Sequence, residues 1–82
     1  MEIEISLITA YMLRDHCKLS PDLLEQIGQF PVKADIVVLN IQFDELSKAY
    51  KRLQEFVAQS PDIHMPTYQY SLKELGNILN ED

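Results

Sequence analysis

One cysteine among 82 residues excludes an internal disulfide framework and the multi-cysteine zinc sites. Tryptophan is absent, and the two glycines, Gly28 and Gly76, stand alone, so there is no Gly-rich phosphate loop. The longest unbroken apolar run is four residues, as in Ile36 to Leu39, far short of a membrane-spanning helix. Positive charge is scarce, with seven Lys+Arg against 13 Asp+Glu and a formal net charge of −6. No segment is basic enough to neutralise a row of phosphates, which argues against direct nucleic-acid binding. An acidic globule is also repelled by anionic membranes and attracted to basic protein surfaces. The chain opens Met1-Glu2-Ile3-Glu4, unlike the basic start of a secretory or mitochondrial leader, and the expectation is a cytoplasmic protein.

What is present is an ordinary apolar share, 46% of residues, in a length that suits one domain covering 1–82. The clearest pattern is Val32, Ile36, Leu39, Phe43, Leu46, Tyr50, Leu53 and Val57, spaced alternately by 4 and 3. That is a heptad stripe, widened by Ala49 and Phe56 toward its C-terminal end, and it predicts helix from Asp44 to Gln59. Asp35 to Phe43 reads two ways. The stripe runs through it without a phase change or an intervening Gly or Pro, which favours one continuous helix. Its β-branched Ile36-Val37-Val38 and its strict alternation would also suit a strand, with Asp44 then as N-cap of the next helix. The N-terminus repeats the ambiguity: Glu2 to Leu7 alternates, but Ala10, Met12, Leu13 and Arg14 are good helix formers.

Elsewhere the punctuation is plain. Ser20-Pro21-Asp22 is a helix start, opening a short helix that runs to Gln26 or Ile27 and is closed by Gly28 and Pro31. Ser60-Pro61-Asp62 repeats the signal, with Pro66 expected to stop it. Ser71-Leu72-Lys73-Glu74 matches a capping box, opening a last helix with Leu72, Leu75, Ile78 and Leu79 on one side. The fold expected is therefore all-α, a small bundle with one long central helix. The alternative is α+β, with short strands at 2–8 and 35–43 that pair in a small sheet.

Little here suggests chemistry. His16 and Cys17 are adjacent, and neighbours on a helix or strand point apart, so they cannot form a dyad with each other. Asp15, His16, Cys17 and the distant His64 likewise project in different directions, a poor set for one metal ion. The Lys48, Lys51, Arg52 cluster is interleaved with Asp44, Glu45 and Glu55 at helical spacing, as on a solvated face. No catalytic, cofactor or metal-binding residues are assigned, and the protein is not expected to be an enzyme.

The expected function is a helical protein-interaction module: an adaptor, assembly chaperone or regulatory subunit. A helix over 33–59 would be about 40 Å long, against a compact diameter of roughly 30 Å. It would overhang its own domain, and a homodimer or hetero-complex burying Val32, Ile36, Leu39 and Phe43 would cover the surplus. A second surface is expected in the Ile63–Tyr70 segment, kept out of regular helix by Pro61 and Pro66, where Met65, Tyr68 and Tyr70 offer large area at low entropic cost. The competing reading is that Tyr68 or Tyr70 plugs the end of a small core. A different class of function also fits the charge: an acidic inhibitor, of antitoxin, immunity or phage-inhibitor type, seated on a basic nuclease or nucleic-acid-binding protein.

Overall fold

The computed structural model describes residues 1–60 and 65–80, which form β1 (Glu2–Ser6), α1 (Leu7–His16), α2 (Pro21–Gly28), β2 (Ile36–Asn40), α3 (Phe43–Gln59) and α4 (Met65–Leu79). The described part is mostly helical, with one small antiparallel sheet of two strands. The strand reading of both ambiguous segments is the one that forms.

β1 and β2 pair so that Ile3 faces Leu39 and Ile5 faces Val37. All four are buried on the inner side, while Glu2, Glu4, Ile36, Val38 and Asn40 look outward. Alternation of period two puts one set inside, and a slip of one residue would bury Glu4 in place of Ile5. Ser6 then ends the strand and starts α1 with no loop between: its hydroxyl accepts from the Thr9 N–H, capping the first turn. A helix beginning at Ile3 would place Glu4 among the buried positions, so the alternation prevails over the helix propensity of the residues that follow.

The continuous helix expected over 33–59 does not form. Ile36–Asn40 is strand, Ile41 and Gln42 are extended, and α3 begins at Phe43 with Gln42, not Asp44, in the N-cap position. The heptad spacing across the break is a coincidence of two periods. Ile36 and Leu39 have opposite parity, so in a strand they face opposite ways, and the first is exposed and the second fully buried. At 17 residues α3 is about 26 Å long. It fits within overall extents of 31 × 30 × 22 Å, and the overhang argument for self-association falls with the long helix.

The core gathers Ile5, Leu13, Leu23, Ile27, Leu39, Leu46, Leu53 and Leu75, each at most 2% exposed, drawn from every element. From Leu46 onward the α3 stripe does face it: Leu46, Ala49, Leu53 and Val57 are buried.

Two expected helix signals act differently. Gly28 is the last residue of α2, no residue among those described has a positive φ, and the helix closes through Gln29 in a right-handed conformation. Gly28 is thus no left-handed cap. Ser71 is no N-cap either, because α4 already runs from Met65, with Pro66 in its first turn where a missing N–H costs nothing. The helix start expected at Ser60-Pro61-Asp62 falls largely on residues 61–64, outside the described residues.

Candidate interaction surface

A two-stranded sheet has two outer edges, and the structure treats them differently. Met1 and Ile41 exchange two hydrogen bonds, at 2.8 and 2.9 Å, and the Leu7 N–H donates to the Asp35 carbonyl at 3.0 Å. In an antiparallel ladder such pairs alternate, so Ile3–Leu39 and Ile5–Val37 are the bonded ones between them. The N–H and C=O groups of Glu2, Glu4 and Ser6 on β1, and of Ile36, Val38 and Asn40 on β2, therefore point away from the partner strand.

On β1 the outer edge is guarded. The Ser6 N–H donates to both carboxylate oxygens of Glu74 on α4, at 3.2 and 3.3 Å. Glu2 and Glu4 carry exposed charges, a common device against edge pairing. The same Glu74 carboxylate accepts from the Ser6 hydroxyl at 3.2 Å and from Thr9 Oγ1 at 2.7 Å, and Thr9 Oγ1 lies 2.9 Å from Ser71 Oγ. Thr9 and Ser71 are fully buried, so this network fastens α4 to the junction of β1 and α1.

On β2 the guard is partial. Gln26 of α2 reads Asn40 as a strand would: its amide accepts from the Asn40 N–H at 3.0 Å and donates to the Asn40 carbonyl at 3.1 Å. Among the described residues, the outward N–H and C=O groups of Ile36 and Val38 have no partner. Their side chains are 56% and 51% exposed, side by side on the outer face.

The residues expected to meet a partner are thus divided. Val32, in the turn before β2, is 82% exposed, and Ile36 and Phe43 are exposed as well. Leu39 lies in the core, out of reach of any partner of the folded chain. Tyr68 and Tyr70 are on the first turns of α4, where irregular backbone was expected. Tyr68 is half-buried: its hydroxyl is 3.0 Å from His16 Nε2, and its ring lies 5.8 Å from that of Phe56. Phe56 in turn stacks on His16 at 4.0 Å. Tyr70 is exposed and stands beside an open groove of about 640 Å³ between α3 and α4, with Tyr50, Gln54 and Lys73. The Met65 side chain and His64 lie outside the described residues. Sequence reasoning missed Val38, Gln26, Thr9 and Glu74. Val38 was within reach, since it shares parity with Ile36 in the strand reading.

The one cysteine and the carboxylate beside it are both engaged. The Cys17 thiol donates to the Ala49 carbonyl at 3.3 Å, and burial pushes its pKa up to about 11 against a smaller lowering by Arg52. It is a weak nucleophile at neutral pH. Lys18, Lys48 and Arg52 surround a cavity of about 170 Å³ beside it. The Glu45 carboxylate there accepts from the Ser20 N–H at 2.8 Å, which ties α3 to the start of α2. Among the described residues no group of three or more His, Cys, Asp or Glu side chains is placed to hold a metal ion, and no helix is long and apolar enough to cross a membrane. Comparison with family models, with curated proteins and with solved structures finds no match to this chain.

Proposed function

We propose that the protein is a non-enzymatic interaction module that binds protein chains through the outer face and open edge of β2. The observation that carries this reading is the pair Ile36 and Val38. Both side chains are about half exposed on one face, and both peptide groups are turned outward without a partner among the described residues. An added strand would satisfy those groups and bury those side chains together, which is how β-augmentation combines affinity with selectivity. Val32 and Phe43, exposed at either end of the strand, extend the apolar surface. Direct binding to nucleic acid or membrane is not part of this reading, given the charge of −6.

The test is affinity capture with the wild-type chain and with Val38→Glu, followed by a binding isotherm for each captured protein. Binding through β2 should weaken at least tenfold in Val38→Glu and should change little with salt. Equal binding by both chains overturns the proposal. Steep loss of binding with salt, unaffected by the substitution, would instead favour the acidic-inhibitor reading.

A further inference from the structure

We propose that the occupant of the β2 edge is a second copy of this chain, paired antiparallel so that Ile36 of each protomer faces Val38 of the other. The inference rests on the reading of β2 as the binding surface and adds what binds there.

The inventory of open groups selects this register. Between Gln26, which holds Asn40, and Asp35, whose carbonyl accepts from Leu7, the edge offers two outward donors and two outward acceptors, at Ile36 and Val38. In an antiparallel pair the two residues of a bonded position exchange both hydrogen bonds. Placing Ile36 opposite Val38, with the twofold axis passing beside Val37, satisfies all four groups of each copy and leaves both Gln26 contacts in place. Centring the axis on Val38 would set Ile36 against Asn40, where Gln26 already sits. The surface is thus complementary to itself, as a twofold interface requires.

Side chains and charge agree with the twofold. Ile36 and Val38 become directly opposed β-branched pairs on the outer face, a favourable cross-strand combination. The strand Ile36–Asn40 carries no charge, so the excess of acids is not brought together at the axis. The ladder stops at these two pairs, because Gln26 keeps its place at Asn40 and the chain before β2 turns through Val32 and Lys33, with the Ala34 N–H on the Pro31 carbonyl. At the ends of β2, Val32, 82% exposed, and Phe43, 54% exposed, add apolar surface beside the paired strands. These flanks matter, because a stable interface needs about 800 Å² per partner, more than two strand residues supply. The product is a four-stranded sheet whose outer strands are the two copies of β1, already guarded by Glu74 and by the Glu2 and Glu4 charges.

The experiment is sedimentation equilibrium of the full chain across the micromolar range, with amide exchange read residue by residue. The expected result is a concentration-dependent dimer in which the Ile36 and Val38 amides exchange more slowly as dimer forms. Val38→Pro removes an N–H that the β1–β2 ladder does not use, on an edge where proline is tolerated. It should be a monomer with the far-UV spectrum of the wild type. Should that variant not fold, Ile36→Lys keeps the backbone donor and sets charge against apolar surface at both opposed pairs, and it should weaken association at least tenfold. A wild-type monomer throughout overturns the proposal, as does a dimer unaffected by whichever variant is folded. A monomeric wild type whose binding to a captured protein is lost in Val38→Pro would sink self-pairing alone and leave the interaction-module reading standing.

Discussion

Replacing Thr9 by valine removes one hydroxyl and keeps the shape, so its effect isolates the polar network under α4. Thr9 Oγ1 stands 2.7 Å from Glu74 Oε1, 2.9 Å from Ser71 Oγ and 2.9 Å from Ser6 Oγ. It has one proton to give, and the carboxylate, which can only accept, is the closest taker. A hydrogen bond to a charged group contributes about 1.5–3 kcal/mol, and leaving a buried hydroxyl such as Ser71 without its neighbour costs about 1–3 kcal/mol more. The two losses overlap, since Ser71 can turn to a carbonyl of the preceding helical turn. We expect Thr9→Val to cost about 3 kcal/mol, a large share of the roughly 4–12 kcal/mol available to a domain of this length. Urea unfolding followed by circular dichroism should show a lower midpoint at unchanged slope, with the melting temperature down by roughly 12–24 °C. Thr9→Ser, which keeps the hydroxyl and loses a methyl, should cost only about 1 kcal/mol. A double-mutant cycle with Glu74→Gln should return a coupling of at least about 1 kcal/mol. A Thr9→Val midpoint equal to that of Thr9→Ser would refute the claim that hydrogen bonding, and not packing, fixes α4 to the sheet.

Other substitutions test other parts of the fold. Gly28→Ala meets no atom within 4 Å and no positive φ, so it should stabilise by about 0.4–1 kcal/mol in thermal unfolding; a loss would mean that Gly28 is a left-handed cap after all. Leu39→Ala should cost about 2–5 kcal/mol because that side chain is fully buried, whereas Val32→Ser should leave monomer stability within about 0.5 kcal/mol. With its thiol pushed up to about 11 from 9.0, Cys17 should hold about 100-fold less thiolate at pH 8 than an ordinary cysteine and react with iodoacetamide correspondingly slowly. The unfolded thiol loses its proton first, so the Cys17 contribution to stability is constant below about pH 9 and falls as pH rises toward about 11, which denaturant titrations at several pH values can read. Tyr68→Ala should cost about 2–3 kcal/mol of folding stability through lost contacts with His16 and Phe56, and Tyr70→Ala within about 0.5 kcal/mol; equal effects would erase the distinction between plug and surface.

Much of the architecture is legible in the sequence, and the misreadings share a cause. The start of α2 at Pro21, the body of α3 and the apolar side of α4 all follow from local signals that no tertiary contact opposes. Asp35 to Phe43 misled because a 4-3 spacing and a 2-2 alternation coexist there, and the choice between them lies in β1, 30 to 38 residues away. Ile3 and Ile5 on β1 need Leu39 and Val37 as cross-strand partners, and that long-range demand is invisible to a window on the segment itself. Ser71 and Glu74 misled for a related reason. A capping box and a buried polar anchor use the same residue types, and only the position of Thr9, 62 residues from Ser71, decides which is built.

The surface was less legible than the fold, because exposure of a backbone edge is a tertiary property. Nothing local distinguishes Val38 from Val37 except parity, and parity acquires meaning only once β1 claims one side of the strand. Even then, whether the outward peptide groups stay open depends on α2. That helix ends at Gly28, and from its last turn Gln26 reaches Asn40, leaving Val38 and Ile36 uncovered. On the opposite edge α4 lies alongside β1, and Glu74 closes the Ser6 position that corresponds to Ile36 across the ladder. The two edges of one small sheet thus differ through helix placement, and the same difference gives the proposed interface its direction: an added strand has β2 to join, and β1 to avoid.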